Sequence, residues 1–266
     1  MIKYKIKYFD CNQYGSSNIK KIENNYKIAI IIISANSERW NLEKQIWKKY
    51  IDKFPNITCF FIECNKKSDL MLLNDKNNDP NTLLFNCNES KIPGIYQKSL
   101  LCLKHIGNQY DFYIRTNLST FIIFDLLNNY LQNIPQNKPI YTGGYIWGPK
   151  THMFYPENDF ASGTSIILNK LARDKIVKYG FEDKYFKDMK YADDIVFCRF
   201  FNDYDLKIFY NSENGQDLYF WNYKISFESN LKNIRSHNYP FLRLKTNDLN
   251  KYDEVSNKLL TEYYSI

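Results

Sequence analysis

Apolar positions along this chain fall into short continuous runs separated by polar, turn-rich stretches. The sharpest run is Lys27-Ile-Ala-Ile-Ile-Ile-Ile-Ser34. A β-branched run bounded by polar residues predicts a strand buried on both faces, as in a parallel sheet. Ser34-Ala-Asn-Ser37 then reads as a polar turn. Ser37 is placed to cap the next helix, with Glu38 in its first turn. In that helix Trp40, Ile46, Trp47 and Tyr50 supply an apolar face, and Phe54-Pro55-Asn56 ends it. Ile57 to Glu63 predicts a second buried strand. The Asn/Asp/Lys-rich stretch 64–82 predicts a loop, and Leu83 to Asn86 a short strand. Gln97 to His105 predicts a helix, Asp111 to Thr116 a strand, and Leu118 or Ser119 the start of a helix running to Leu131. Strands alternating with helices predict an α/β, three-layer domain with a mixed, mainly parallel sheet.

The second half has a different texture. Pro139 to Gly144 reads as a strand running into a turn. Phe160 to Leu168 holds a small-residue turn, Ala161-Ser-Gly-Thr164, and an apolar strand. Leu171 to Tyr179 and Asp193 to Phe201 read as helices, the latter with an acidic start. From about residue 210 the tail reads as aromatic and irregular, and residues 1–25 as an edge strand and a loop. No internal repeat or long low-complexity linker divides the chain, so 1–266 reads as one domain.

Composition narrows the function only a little. Hydrophobic residues make up 44% of the 266, enough for a sizeable core, which excludes disorder of the whole chain. Asn, Lys, Ile and Tyr are heavily used, and all have A/T-rich codons. That bias fits an AT-rich genome, such as that of a large DNA virus, a protist or a low-GC bacterium. The net charge of +7 suits polyanions, nucleotide diphosphates included. The lysines are interspersed with Asp and Glu, however, with no basic block of five or six, which argues against a dedicated nucleic-acid binder. Cysteines stand at 11, 59, 64, 87, 102 and 198. They show no CxxC spacing and are too sparse for a disulfide framework, so reduced thiols in a cytosolic-type compartment are expected. Met1 to Tyr8 lacks the apolar segment of a signal peptide. Ile28 to Ile33 falls far short of the ~20 residues that span a bilayer. A soluble, cytoplasmic protein without a membrane span is expected.

Candidate chemistry begins after the first strand. In open α/β sheets ligands bind at the carboxyl ends of the strands. A polar loop opening a helix there presents free N–H groups to a nucleotide. Ser34 could bond a base or ribose and Arg39 a phosphate; the alternative is a plain helix cap with Arg39 on the surface. Neither GxGxxG nor GxxxxGK[ST] occurs, which argues against a dinucleotide dehydrogenase and a P-loop enzyme.

A helical Lys98-Ser-Leu-Leu-Cys-Leu-Lys-His105, a short gap, and Tyr110-Asp-Phe-Tyr-Ile-Arg-Thr116 resemble a stretch of the Fringe and beta-1,3-galactosyltransferase group of GT-A glycosyltransferases. In that group the strand ends in a basic residue, a Thr and an acidic DxD triplet that grips the donor diphosphate through a divalent metal. Here Arg115 and Thr116 match the residues before the triplet, and Asn117-Leu118-Ser119 occupies it. Both carboxylates are replaced by neutral oxygen donors, which are weak ligands for Mg²⁺ or Mn²⁺. Either the metal is held weakly, or cations such as Arg115 replace it, or transfer activity is lost. Asn117 or Ser119 could equally cap the following helix. Later motifs keep the group's order. Tyr141-Thr-Gly-Gly144 and Phe160-Ala-Ser-Gly-Thr164 match its strand ending in Gly and its aromatic-x-Ser-Gly turn, with Gly144, Ser162 and Gly163 near the donor sugar. Tyr191-Ala-Asp-Asp-Ile-Val196 matches its acidic pair at a helix start. His237 sits where related enzymes complete a metal site, flanked by Arg235, Arg243 and Lys245.

The resemblance runs from about 28 to 245 and implies a Rossmann-like GT-A domain, with a nucleotide-binding half at 26–121 and a half for acceptor and donor sugar at 139–245. It implies transfer of a sugar from a nucleotide-sugar, UDP by resemblance, to a glycan or other hydroxyl acceptor, with inversion. Asp194 is expected as general base with Asp193 as its neighbour. Ser34, Arg39, Glu63, Lys98, Arg115, Thr116, Asn117, Ser119, Arg235 and Lys245 are expected around the nucleotide. Asn117, Ser119 and His237 are the candidate ligands for Mn²⁺ or Mg²⁺. A rival reading is an inactive domain of this type that binds a sugar or a partner protein.

Overall fold

The computed structural model describes residues 26–35, 37–64, 72–73, 81–148, 159–186, 191–210 and 217–266. The expectations for residues 1–25, and Cys11, lie outside these. The first half follows the expected alternation: β1 (Ile28–Ile33), α1 (Glu38–Lys48), β2 (Ile57–Cys64), β3 (Leu72–Leu73), β4 (Thr82–Phe85), α2 (Gly94–His105) and β5 (Phe112–Asn117). Then come β6 (Thr120–Ile122), α3 (Phe124–Leu131), β7 (Tyr141–Gly143), β8 (Ile146–Trp147), β9 (Phe160–Ala161), β10 (Ser165–Asn169) and α4 (Lys170–Tyr179). The chain ends with α5 (Asp193–Asp203), β11 (Leu218–Phe220), α6 (Phe227–His237), β12 (Phe241–Arg243) and α7 (Leu249–Tyr264).

Seven strands form the main sheet in the order β3-β4-β2-β1-β5-β10-β7. β4, β2, β1 and β5 are parallel, whereas β3 and β10 run against their neighbours. The sheet is mixed and mainly parallel, as expected. The β1 run shows why it needed no polar alternation. Ile28, Ile30 and Ile32 enter one core with Trp47 of α1, Tyr50 just after it, Phe124 of α3 and Leu259 of α7. Ala29 and Ile31 enter the other with Leu100 of α2, Ile176 of α4 and Phe197 of α5. Helices therefore cover both faces and give three layers.

Topology also fixes where a ligand can sit. From β1 the chain passes through α1 to β2 on one side, while β5 lies on the other side of β1. α1 packs in one core and α2 in the other. The connections thus diverge between β1 and β5, leaving a crevice at their carboxyl ends.

Several expectations are corrected. Leu118 to Leu131 is not one helix: Thr120–Ile122 is a strand paired with β12, and α3 starts at Phe124 with Ile123 at its cap position. Neither Asn117 nor Ser119 caps it. Phe121 and Ile122 are buried in the core, so packing overrode the helical pattern. Ser37 stands at the cap position of α1 but makes no side-chain cap bond. The described part of the aromatic tail, residues 217–266, forms regular elements. α6 buries Leu231 and Ile234, and α7 buries Tyr252, Leu259, Leu260 and Tyr264. The Tyr264 hydroxyl donates to the Ile122 carbonyl at 2.5 Å. Cys64 and Cys87 form a disulfide, against the expectation of reduced thiols. The parallel pairing of β2 with β4 sets Cys64 opposite Phe85, two residues before Cys87. Cys59, Cys102 and Cys198 are free and buried. No helix among the described residues is long and apolar enough to cross a membrane.

Candidate functional site

The crevice between β1 and β5 opens into a cleft of about 360 Å³. Ser34, Trp40, Lys98, Asn117, Ser119 and Arg243 line it, with Glu89, Ser90 and Lys91 on the loop before α2. Much of the wall comes from strand ends and a helix start. Ser34 follows β1, Trp40 lies in the first turn of α1, Asn117 closes β5, and Arg243 closes β12.

Lys98 is the central cation. It is fully buried, and its ammonium donates to the Ser34 carbonyl at 2.7 Å and to the Glu89 carboxylate at 2.5 Å. Burial pulls its pKa below the usual lysine value, opposed by the Glu89 and Glu63 carboxylates. Arg243 is pushed down to about 10 by burial, with Glu43 opposing that and Arg115 reinforcing it. Its guanidinium lies 3.5 Å from the Thr120 hydroxyl. Among the described residues Lys91, Lys98 and Arg243 thus line the cleft with one carboxylate, Glu89, beside the flat indole of Trp40.

Other expected residues lie behind the cleft. Glu63 is buried, accepting the Ser34 hydroxyl at 2.8 Å and the Lys44 ammonium, so it neutralises Lys44 and does not face a base. The Ser34 hydroxyl is thereby turned inward, although its backbone lines the cleft. Arg39 points away: its guanidinium donates to the Thr246 carbonyl at 3.0 Å, lies 3.8 Å from Glu43 and stacks over Trp40. Glu43 is buried, and that burial pushes its carboxyl up to about 7 against Arg39 and Arg243.

Beneath the Asn117 side lies a second cluster. The Asn117 amide donates to the Gly163 carbonyl at 2.9 Å, and Thr116 donates to the Thr164 carbonyl at 2.6 Å. The Ser162 hydroxyl meets that of Thr164 at 3.0 Å and closes the turn. Arg115 runs under this turn to Asp193, 2.6 Å away, both buried. Gly163 is required by this approach: a Cβ there would sit 2.6 Å from the Arg115 guanidinium. Gly144 is held by packing against Phe241, where a Cβ would meet the ring at 2.6 Å. Burial raises the Asp193 pKa, and Arg115 opposes the rise. Asp194 is half-buried, accepting the Gly163 N–H at 3.1 Å and the Ile195 N–H at 3.0 Å. Sequence reasoning found the acidic pair and the turn, and the fold joins them to Asn117.

Of the C-terminal residues, Arg243 lines the cleft, whereas Arg235, His237 and Lys245 do not. Arg235 is exposed and pairs with Glu262 of α7. Lys245 is exposed. His237 is exposed at the end of α6, its Nδ1 within 3.0 Å of the Asn233 carbonyl and its ring stacked on Tyr239. The donor set does not fit a divalent cation. Asn117 and Ser119 offer only neutral oxygens, and Asp193 is tied to Arg115. Among the described residues no group of three or more His, Cys, Asp or Glu side chains is placed to hold a metal. Trp40, Glu89, Ser90 and Lys91 were missed as lining residues. Trp40 read as core, and the 88–93 loop carries no motif.

No family model matches the chain, and no curated protein matches it. Similar solved structures include the galactosyltransferase LgtC in complex with donor and acceptor sugar analogs, at 11% identity and a TM-score of 0.46, covering 86% of this chain and 95% of that one. Another is the glycosyltransferase GlyE of Streptococcus pneumoniae TIGR4, at 10% identity and a TM-score of 0.45. The match covers 90% of this chain and 64% of GlyE, under two thirds of its length.

Proposed function

We propose that this protein is a GT-A-type glycosyltransferase that binds a nucleoside diphosphate sugar without a divalent metal. The observation that carries the proposal is the cleft at the β1/β5 crossover, where Lys98 and Arg243 converge beside Trp40 and the α2 start. A nucleotide has matching parts. The indole suits a flat base, and the cations suit a diphosphate. Glu89 holds Lys98 in the free protein, and an incoming phosphate would take its place at the ammonium. The resemblance of the β5 segment points to uridine as the base.

Transfer would proceed at the Asn117–Gly163 edge. The acceptor hydroxyl gives its proton to Asp194 as its oxygen bonds the anomeric carbon. The bond from that carbon to the diphosphate oxygen breaks, and the diphosphate leaves with the electron pair, stabilised by Lys98 and Arg243. A single displacement of this kind inverts the anomeric carbon. Asp194 suits the role better than Asp193, which is buried against Arg115.

A second reading is a domain that binds sugar without transferring it. Both Asp194 oxygens already accept backbone N–H groups, which favours it. Turnover of UDP-sugars, by hydrolysis or transfer, separates the two. On the enzyme reading Asp194→Asn lowers turnover by about 100-fold or more and leaves UDP binding unchanged. Equal turnover in the variant removes Asp194 from the base role.

A further inference from the structure

Beside the cleft lies an aromatic group that the nucleotide does not use. Phe220, at the end of β11, is 51% exposed, unusual for a large apolar side chain. It is paired in register with Arg243, which is paired in turn with Thr120, so it stands one strand from a cleft wall. Its ring meets Tyr145 edge to face at 5.4 Å, and Tyr145 meets Trp147 in the same way at 4.9 Å. The Tyr145 carbonyl accepts the Ser162 N–H at 2.8 Å, in the turn whose Gly163 N–H reaches Asp194. Through the β8–β9 pair, Trp147 lies opposite Phe160, next to Asp159, whose carboxylate accepts the Tyr210 hydroxyl. An aromatic row, exposed at Phe220 and half-buried at Tyr145 and Trp147, therefore runs from beside Arg243 towards the turn that holds the candidate base, edged by a carboxylate and a phenol.

We propose that Phe220, Tyr145 and Trp147 form the acceptor subsite and that the acceptor is a carbohydrate. This rests on the transferase reading above. A pyranose ring has one face of C–H groups, weakly positive and apolar, which pairs with the negative face of an aromatic ring. Its rim carries hydroxyls that need donors and acceptors such as Asp159 and Tyr210. A ring lying on this row presents a rim hydroxyl towards Asp194 and the anomeric carbon of a donor in the cleft.

The test uses the full chain titrated with maltose, lactose, cellobiose and chitobiose, free and saturated with UDP, followed by tryptophan fluorescence. At least one disaccharide binds saturably, and Phe220→Ala weakens it about tenfold or more, ~1.4 kcal/mol, without altering UDP affinity. Unchanged disaccharide binding in Phe220→Ala overturns the subsite, and so does UDP binding with no disaccharide binding. Disaccharide binding that needs Phe220 in a protein that fails to bind UDP supports the subsite and contradicts the nucleotide reading.

Discussion

At the scale of single residues, the Arg115–Asp193 pair shows what side-chain identity alone leaves open. Both residues stand out in the sequence, Arg115 as a phosphate contact and Asp193 as the neighbour of a base. Their union depends on β10 lying against β5, which brings the Ser162–Gly163 turn over Arg115. No local pattern encodes that pairing. The pair is buried, so removing one partner strands the other. We expect Arg115→Met to cost roughly 3–5 kcal/mol of stability, and Arg115→Met with Asp193→Leu to recover most of it. Urea unfolding of both variants checks this. Equal losses in the single and double variants would mean that the pair is not the source of the effect. Glu63 is a second case. It lies one residue from the end of β2, where a base-binding residue could stand, yet Lys44 claims it.

At the scale of elements, β1, β2, β5, α4 and α5 were legible because their apolar patterns are long or sharply bounded. β6 and the C-terminal helices were not. Thr120–Ile122 is short and follows a helix-compatible stretch, and only β12, more than a hundred residues on, makes it a strand. α6 and α7 were obscured by aromatic residues that pack into the core as Tyr252 and Tyr264 do. The Cys64–Cys87 bridge was hidden for the same reason, since its partners meet only through the β2–β4 register. It tethers the loop carrying Glu89, whose carboxylate accepts the Cys64 N–H at 2.8 Å. A bridge with sequence separation 23 contributes about 3 kcal/mol through the unfolded chain. Cys64→Ser is therefore expected to lower stability by about that amount, matching the effect of reductant on the parent protein. Reductant should have no further effect on the variant. Identical unfolding curves for parent and variant under oxidising conditions would contradict the bridge's role.

At the scale of the whole molecule, charge and burial make stability depend on pH in a definite direction. Glu43 has its carboxyl raised to about 7 by burial. A raised carboxyl binds its proton more tightly folded than unfolded, so its contribution is full below the unfolded value of 4.5 and is lost as pH rises towards 7. That shift corresponds to roughly 3 kcal/mol. Glu43→Gln should flatten the fall in stability between those pH values, as read by melting temperature across the range. A slope equal to the parent's would assign the pH dependence to other groups. The fold class and crevice position were readable from strand–helix order, because the crossover rule follows from topology. Of the cleft's cations, Lys98 and Arg243 were singled out in the sequence, but their meeting with Lys91 in one cleft was not legible, because α2, β12 and the loop before α2 come together only in the fold. That charge carries the central claim of metal-free nucleotide binding, and calorimetric titration of UDP in EDTA, repeated with Mn²⁺, tests it most directly. The account predicts saturable one-to-one binding in EDTA that Mn²⁺ changes by no more than ~3-fold. Binding that is absent until Mn²⁺ is added would contradict it.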